Sequence, residues 1–147
     1  MSPVREEAII PGQPVLKLVA LPTGDGHYLS MRVSSLRKDV VYAIRVWLKP
    51  GSQTLAFLQV NDHKPTNYGL LFCDLTDRSI FKVQRDVVSH QIEPGQDGWL
   101  KLTLALRNAD GYLDVTLGFV SPGHSTVFKG NGQSTLMIGG IETVLQN

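Results

Sequence analysis

The segment Trp99-Leu100-Lys101-Leu102-Thr103-Leu104-Ala105-Leu106-Arg107 places a leucine at every second position. In an extended chain successive side chains point to opposite faces. Leu100, Leu102, Leu104 and Leu106 therefore share one side, and Trp99, Lys101, Thr103 and Ala105 share the other. A helix would scatter the same leucines around its circumference, so the segment reads as a strand with its leucine side in a core. Burying each leucine is worth roughly 1.5–3 kcal/mol, and a one-residue slip would turn the whole set to water. Val40 to Lys49 divides in the same way, with Tyr42, Ile44, Val46 and Leu48 facing inward and Ala43, Arg45, Trp47 and Lys49 outward. Alternation of this kind predicts strands near Val15 to Leu21, His27 to Ser34, Val40 to Lys49, Thr54 to Asn61, Tyr68 to Leu75, Ser79 to Gln84, Val87 to Ile92, Trp99 to Arg107, Tyr112 to Val120 and Ser134 to Leu145. Turn-forming groups punctuate them: Thr23-Gly24-Asp25-Gly26, Lys49-Pro50-Gly51-Ser52, Asn108-Ala109-Asp110-Gly111 and Gly130-Asn131-Gly132. No stretch has helical periodicity. So many short strands without crossover helices must close as two packed sheets or a barrel, and the expected fold is an all-β, antiparallel β-sandwich of the jelly-roll kind.

Composition narrows the function classes. The 147 residues, 42% of them hydrophobic, suit a single domain that buries its core without disulfides. Fourteen basic residues against thirteen acidic ones leave a net charge of +1 and no basic stripe, so nucleic acid is not an expected partner. With one cysteine, Cys73, no internal disulfide can form. No run approaches the roughly 18 apolar residues of a membrane-spanning helix, and MSPVREEAII lacks the basic and then apolar order of a secretion signal. The expectation is a cytoplasmic protein or a domain excised from a longer one, and the sequence does not choose between these addresses.

Four segments carry a resemblance: VVYAIRVWLKPGS (40–52), LLFCDLTDRSI (70–80), DGWLKLTLAL (97–106) and FKGNGQSTLMIGGIE (128–142). In order and spacing they resemble a family of bacterial and phage carbohydrate-binding-module-like jelly rolls. That family's strand of the type Tyr-x-Phe-x-Val-x-x-Lys-x-Gly is followed by an aspartate-leucine strand, matched here by Asp74 and Leu75. A Gly-Trp strand comes next, and then a Gly-Asp-Gly-x-Ser loop running into Trp-Gly-Ala-Gln-Leu-Glu. Here Asn131 replaces the loop aspartate, and Gly139-Gly140-Ile141-Glu142 replaces the ending. The resemblance implies the jelly-roll fold. It also implies an accessory binding domain of glycan-active enzymes, polysaccharide-handling proteins or phage tail proteins.

Sugar recognition needs flat aromatic faces for the C–H side of a pyranose and polar groups for its hydroxyls. Trp47 and Trp99, with Arg45 and Lys49, supply both if their strands are neighbours. Structurally, Trp99 can instead pack at a sheet edge, and Trp47 can be shielded by the aliphatic stems beside it. A second candidate is the loop Asn61-Asp62-His63-Lys64-Pro65-Thr66-Asn67-Tyr68, in which Asn61, Asp62, His63 and Tyr68 are the expected ligand contacts; its bland reading is a solvated hairpin. His27, His63, His90 and His124 show no zinc spacing, and no nucleophile elbow or phosphate loop is present. A pair of carboxylates acting on a glycosidic bond leaves no spacing signature, so a small glycan-cleaving enzyme stays a third reading. No catalytic residue and no required cofactor is expected. Among metals, a structural calcium held by Asp25, Asp110, Asp114 or Glu142 is a better expectation than zinc. The leading expectation is a non-catalytic module that binds an oligo- or polysaccharide. The alternative is an assembly module of a surface or phage-tail-like protein, a homo-oligomer whose exposed aromatics anchor an interface.

Overall fold

The computed structural model describes residues 2–3, 10–20, 22, 24, 26–63 and 67–146. In chain order the strands are β1 (Ser2–Pro3), β2 (Leu16–Val19), β3 (Tyr28–Val33), β4 (Val40–Pro50), β5 (Leu55–Asn61), β6 (Tyr68–Asp74), β7 (Ser79–Arg85), β8 (Ser89–Pro94), β9 (Leu100–Asn108), β10 (Leu113–Phe119) and β11 (Thr135–Gln146). Ten correspond to the expected strands, with ends displaced by a residue or two. The two-residue β1 was not expected, and the strand predicted from Val87 starts at Ser89. Ahead of Ser89 the chain turns, because Asp86 donates its N–H to the Tyr68 carbonyl while its carboxylate accepts from the Tyr68 N–H.

Two antiparallel sheets result, one in the order β1-β2-β11-β4-β9-β8 and the other in the order β3-β10-β5-β6-β7. The chain crosses between sheets at each step from β2 to β5, again from β7 to β8, and at each step from β9 to β11, as in a jelly roll. Strands β4 and β9 are neighbours, which aligns Leu48 with Leu100, Val46 with Leu102, Ile44 with Leu104 and Tyr42 with Leu106. Those eight side chains face Leu58, Val60, Leu71, Leu113, Val115, Leu117 and Phe119 of the second sheet, and together they form the main core.

Strand β11 carries a bulge between Ile138 and Gly140. Strand β2 pairs with β11 only as far as Leu16 opposite Ile138, so the peptide groups of Ile141 would meet no strand on that side. The Gln13 side chain takes the place of one: its Nε2 donates to the Ile141 carbonyl and its Oε1 accepts from the Ile141 N–H, both at 3.0 Å. Gly140 makes room for this. Its φ is 150°, and a Cβ there would lie 2.7 Å from Ile10 Cδ1 and 2.9 Å from Gln13 Oε1.

A second apolar cluster, Phe57, Leu70, Phe72 and Val120, sits on the outer side of the β3-β10-β5-β6-β7 sheet. The segment after β10 folds over this side. Val120 donates to the Leu55 carbonyl, a turn brings His124 back to Ser121, and Val127 forms a bridge with Gly26. The His124 ring lies 4.7 Å from that of Phe81, which in turn packs edge-on against Phe72. The outer face is thus half covered, and what remains open is a pocket.

Candidate functional site

Alternation along β3, β10 and β5 turns Tyr28, Ser30 and Arg32, then Gly118, Thr116 and Asp114, then Phe57, Gln59 and Asn61 to the outside. The register puts these in rows across the strands: Tyr28, Gly118 and Phe57; Ser30, Thr116 and Gln59; Arg32, Asp114 and Asn61. A pocket of about 430 Å³ lies over the first two rows. Its floor is Phe57, Gln59, Thr116 and Ser30, and its walls are Tyr28, Gly26, Thr126 and Val127. That volume falls at the small end of ligand pockets.

Neighbouring groups hold several of the lining residues in place. Gly118 lets β3 lie close, since a Cβ at that position would collide with the His27 carbonyl and Tyr28. His27, buried, points the other way; its Nε2 must carry the proton, because it donates to the Phe128 carbonyl at 2.9 Å, and this ties the 121–128 segment that supplies Thr126 and Val127. Tyr28, 55% exposed, keeps its ring accessible at the pocket mouth. The Ser30 and Thr116 hydroxyls share a 3.2 Å hydrogen bond. Gln59 Oε1 accepts from the Tyr68 hydroxyl at 3.0 Å, and its Nε2 donates to Asn61 Oδ1 at 3.3 Å. Burial of Tyr68 raises its pKa, opposed by the charge of Arg85, whose guanidinium lies 5.3 Å from the ring. The phenol therefore stays a donor to Gln59. In the third row Arg32 donates from Nε and Nη2 to the two carboxylate oxygens of Asp114, at 2.8 and 3.1 Å, and stacks 4.1 Å from the Tyr112 ring centre. The hydrogen bond to Asp114 pushes the Arg32 pKa further up.

The sequence-expected residues separate onto two faces. Arg45, Trp47, Lys49 and Trp99 do lie on one outer face, that of the first sheet, because β4 and β9 pair. Trp47 is half buried, between Lys101 on β9 and Gly140 on β11. Arg45 is committed to Glu142 at 3.1 Å. Trp99 is corrected as a stacking platform: it is only 4% exposed, with the Lys49 ammonium 5.8 Å from its ring centre and the Gly95–Gln96 turn hydrogen-bonded to its backbone. Asp62 is corrected as a ligand contact. It is 1% exposed, and its carboxylate accepts from both the backbone and the side-chain amide of Asn67, closing the loop on itself. His63 donates its backbone N–H to Asp110. Asn61 donates to the Asp62 carbonyl, and with Tyr68 it borders the pocket through Gln59. Lys64, Pro65 and Thr66 lie outside the described residues, as does Asp25. Of the other oxygen donors considered for calcium, Asp114 and Glu142 sit on opposite outer faces of the sandwich, each in an ion pair. Among the described residues no three His, Cys, Asp or Glu side chains group as a metal site. No helix of the described chain is long and apolar enough to cross a membrane.

Tyr28, Ser30, Phe57, Gln59, Thr116, Thr126 and Val127 were not singled out from the sequence. The available signal was the outward period-two set of each strand. The pairing of β3 and β5 on either side of β10 was not.

Two antiparallel sheets with this strand order define a β-sandwich of the jelly-roll class. No family model matches the chain, and no curated protein matches it in sequence. Among solved structures, the chain is similar to one described as "EclA C-terminal domain; sugar-binding protein". The TM-score is 0.52 and the identity 8%, with 95% of this chain and 83% of that one covered. At that identity the likeness shows the fold.

Proposed function

We propose that this domain is a non-catalytic carbohydrate-binding module whose ligand sits in the pocket on the outer face of the β3-β10-β5-β6-β7 sheet. One observation carries the reading: an accessible tyrosine ring and a row of neutral hydrogen-bonding side chains converge on one cavity of about 430 Å³. A pyranose has an apolar C–H face to lay on Tyr28 and hydroxyls to pair with Ser30, Thr116 and Gln59. The described lining has no carboxylate, histidine or cysteine, which suits binding without transformation. The sugar-binding description of the similar solved structure supports the ligand class, and the sequence resemblance supports an accessory role beside a glycan-handling partner.

The test is a glycan array read with the wild-type chain, Tyr28→Ala and Trp47→Ala. Loss of aromatic contact predicts at least a tenfold weaker signal for Tyr28→Ala and little change for Trp47→Ala. The opposite pattern would move the site to the first sheet, and an array blank for the folded wild type would end the carbohydrate reading. The assembly alternative draws on the exposed Phe81, Val83 and Val88 at the β7–β8 edge of the sandwich. Light scattering that shows a concentration-dependent oligomer in a protein blind to sugars would favour it.

A further inference from the structure

Resting on the proposed binding role of this pocket, we infer that it selects an uncharged sugar unit and rejects the corresponding uronic acid. Tyr28, Ser30, Phe57, Gln59, Thr116 and Val127 offer hydroxyls, one amide, rings and an aliphatic side chain, with no carboxylate, imidazole, ammonium or guanidinium among them. The polar groups are also pre-set for hydroxyl ligands. Because the Tyr68 hydroxyl holds the Gln59 carbonyl oxygen, the orientation of the amide is settled, and its Nε2 has a second N–H beyond the one given to Asn61. The Ser30–Thr116 pair spends one hydroxyl proton internally and keeps the other, with lone pairs to spare. Such a set both donates and accepts, which is what a sugar hydroxyl needs.

A carboxylate would need a cation. Among the described residues of β3, β10 and β5 the cation on this face is Arg32, a strand pair-step beyond Ser30, and it is engaged by the two-point bond to Asp114 and by stacking on Tyr112; on β7, Lys82 and Arg85 lie over the Phe72 and Tyr68 rings. A uronate entering the pocket would shed water without a cation among the described lining residues, and it would lie near the Asp114 carboxylate. A neutral hydroxymethyl group in its place carries no such penalty. The ion pair thus acts as a positioning and exclusion device for the row in front of it.

The experiment is calorimetric titration of the full chain with matched methyl glycosides: glucoside and glucuronide, galactoside and galacturonide, mannoside and mannuronide. At least one neutral member is expected to bind ten or more times tighter than its acid partner, and Tyr28→Ala is expected to remove that binding. Thr116→Val, a near-isosteric loss of one floor hydroxyl, serves if Tyr28→Ala does not fold by circular dichroism. Asp114→Asn frees Arg32 and is expected to narrow the neutral-to-acid ratio at least threefold; an unchanged ratio would overturn the exclusion role of the pair. Equal or tighter binding of an acid member, lost on Tyr28→Ala, would overturn the selectivity and leave the binding site standing. No binding by any member, or binding indifferent to both pocket variants, would overturn the site along with it.

Discussion

Cys73 is buried in the main core, its thiol directed at the Ala56 carbonyl at 3.6 Å. Burial pushes its pKa up to about 12, with the charge of Asp74 adding to the effect. An ordinary thiol ionises near 9.0, so between these values the unfolded chain gives up a proton that the folded chain keeps. Stability from this group is therefore whole below about pH 9 and is lost as pH rises toward 12, by up to roughly 4 kcal/mol across the window. Two measurements check this. Ellman's reagent at pH 8 should leave the native thiol untouched and label it fully in denaturant, and Cys73→Ala should flatten the alkaline fall in unfolding free energy. Rapid labelling of the native protein would refute the sealed placement. Asp62 and Asn108 make the complementary point, since both are buried polar residues consumed by loop structure: Asp62 holds Asn67, while Asn108 donates to the Arg37 carbonyl and accepts from the Gly111 N–H. A polar loop read from its letters looks like a recognition surface because residue types do not say which groups are already satisfied.

Between strands, the joint of Gln13 with the β11 bulge is a local weak point. Gln13→Ala leaves a partly buried N–H and C=O of Ile141 without partners, and it should cost about 1–3 kcal/mol in urea unfolding. A change under about 0.5 kcal/mol, the range of ordinary surface substitutions, would mean that water replaces the amide freely. The strands themselves were legible because alternation is a local property: Leu100 to Leu106 and Tyr42 to Leu48 declare their inward sides unaided, and the pairing of β4 with β9, which alternation leaves open, stacks them. The bulge was not legible, because it depends on where β2 stops relative to β11, more than a hundred residues away in sequence. Alternation also placed Trp99 on the outer side correctly, yet it could not show the Gly95–Gln96 turn and Lys49 closing over it. The pocket was hidden for a related reason. Tyr28, Thr116 and Gln59 each read as an unremarkable outward residue, and only the order β3-β10-β5 makes them one surface.

Across the whole molecule, the order of strands in the first sheet has a consequence for folding. Strand β11 is the last in the chain but lies between β2 and β4, so the first sheet cannot close until the C-terminal segment is in place. Its inward residues Leu136 and Ile138 belong to the main core, with Ile141 and Leu145 packed against it. Without them β2 has no partner on its core side and β4 becomes an edge. The lost burial, at roughly 1.5–3 kcal/mol for each large apolar side chain, rivals the net stability of a domain of this size. A chain ending at Ser134 is therefore expected to show no cooperative thermal or urea transition and no dispersed amide spectrum. Adding the peptide 135–147 in trans should restore both, because the gap it fills is flanked by two strands ready to pair. The intact chain should fold in a single slow phase, in the millisecond-to-second range, since sheet closure joins sequence-distant strands. A cooperative transition in the truncated chain would show that the β3-β10-β5-β6-β7 sheet and the β4-β9-β8 remnant sustain a core by themselves, and the two sheets would then have to be treated as separable folding units.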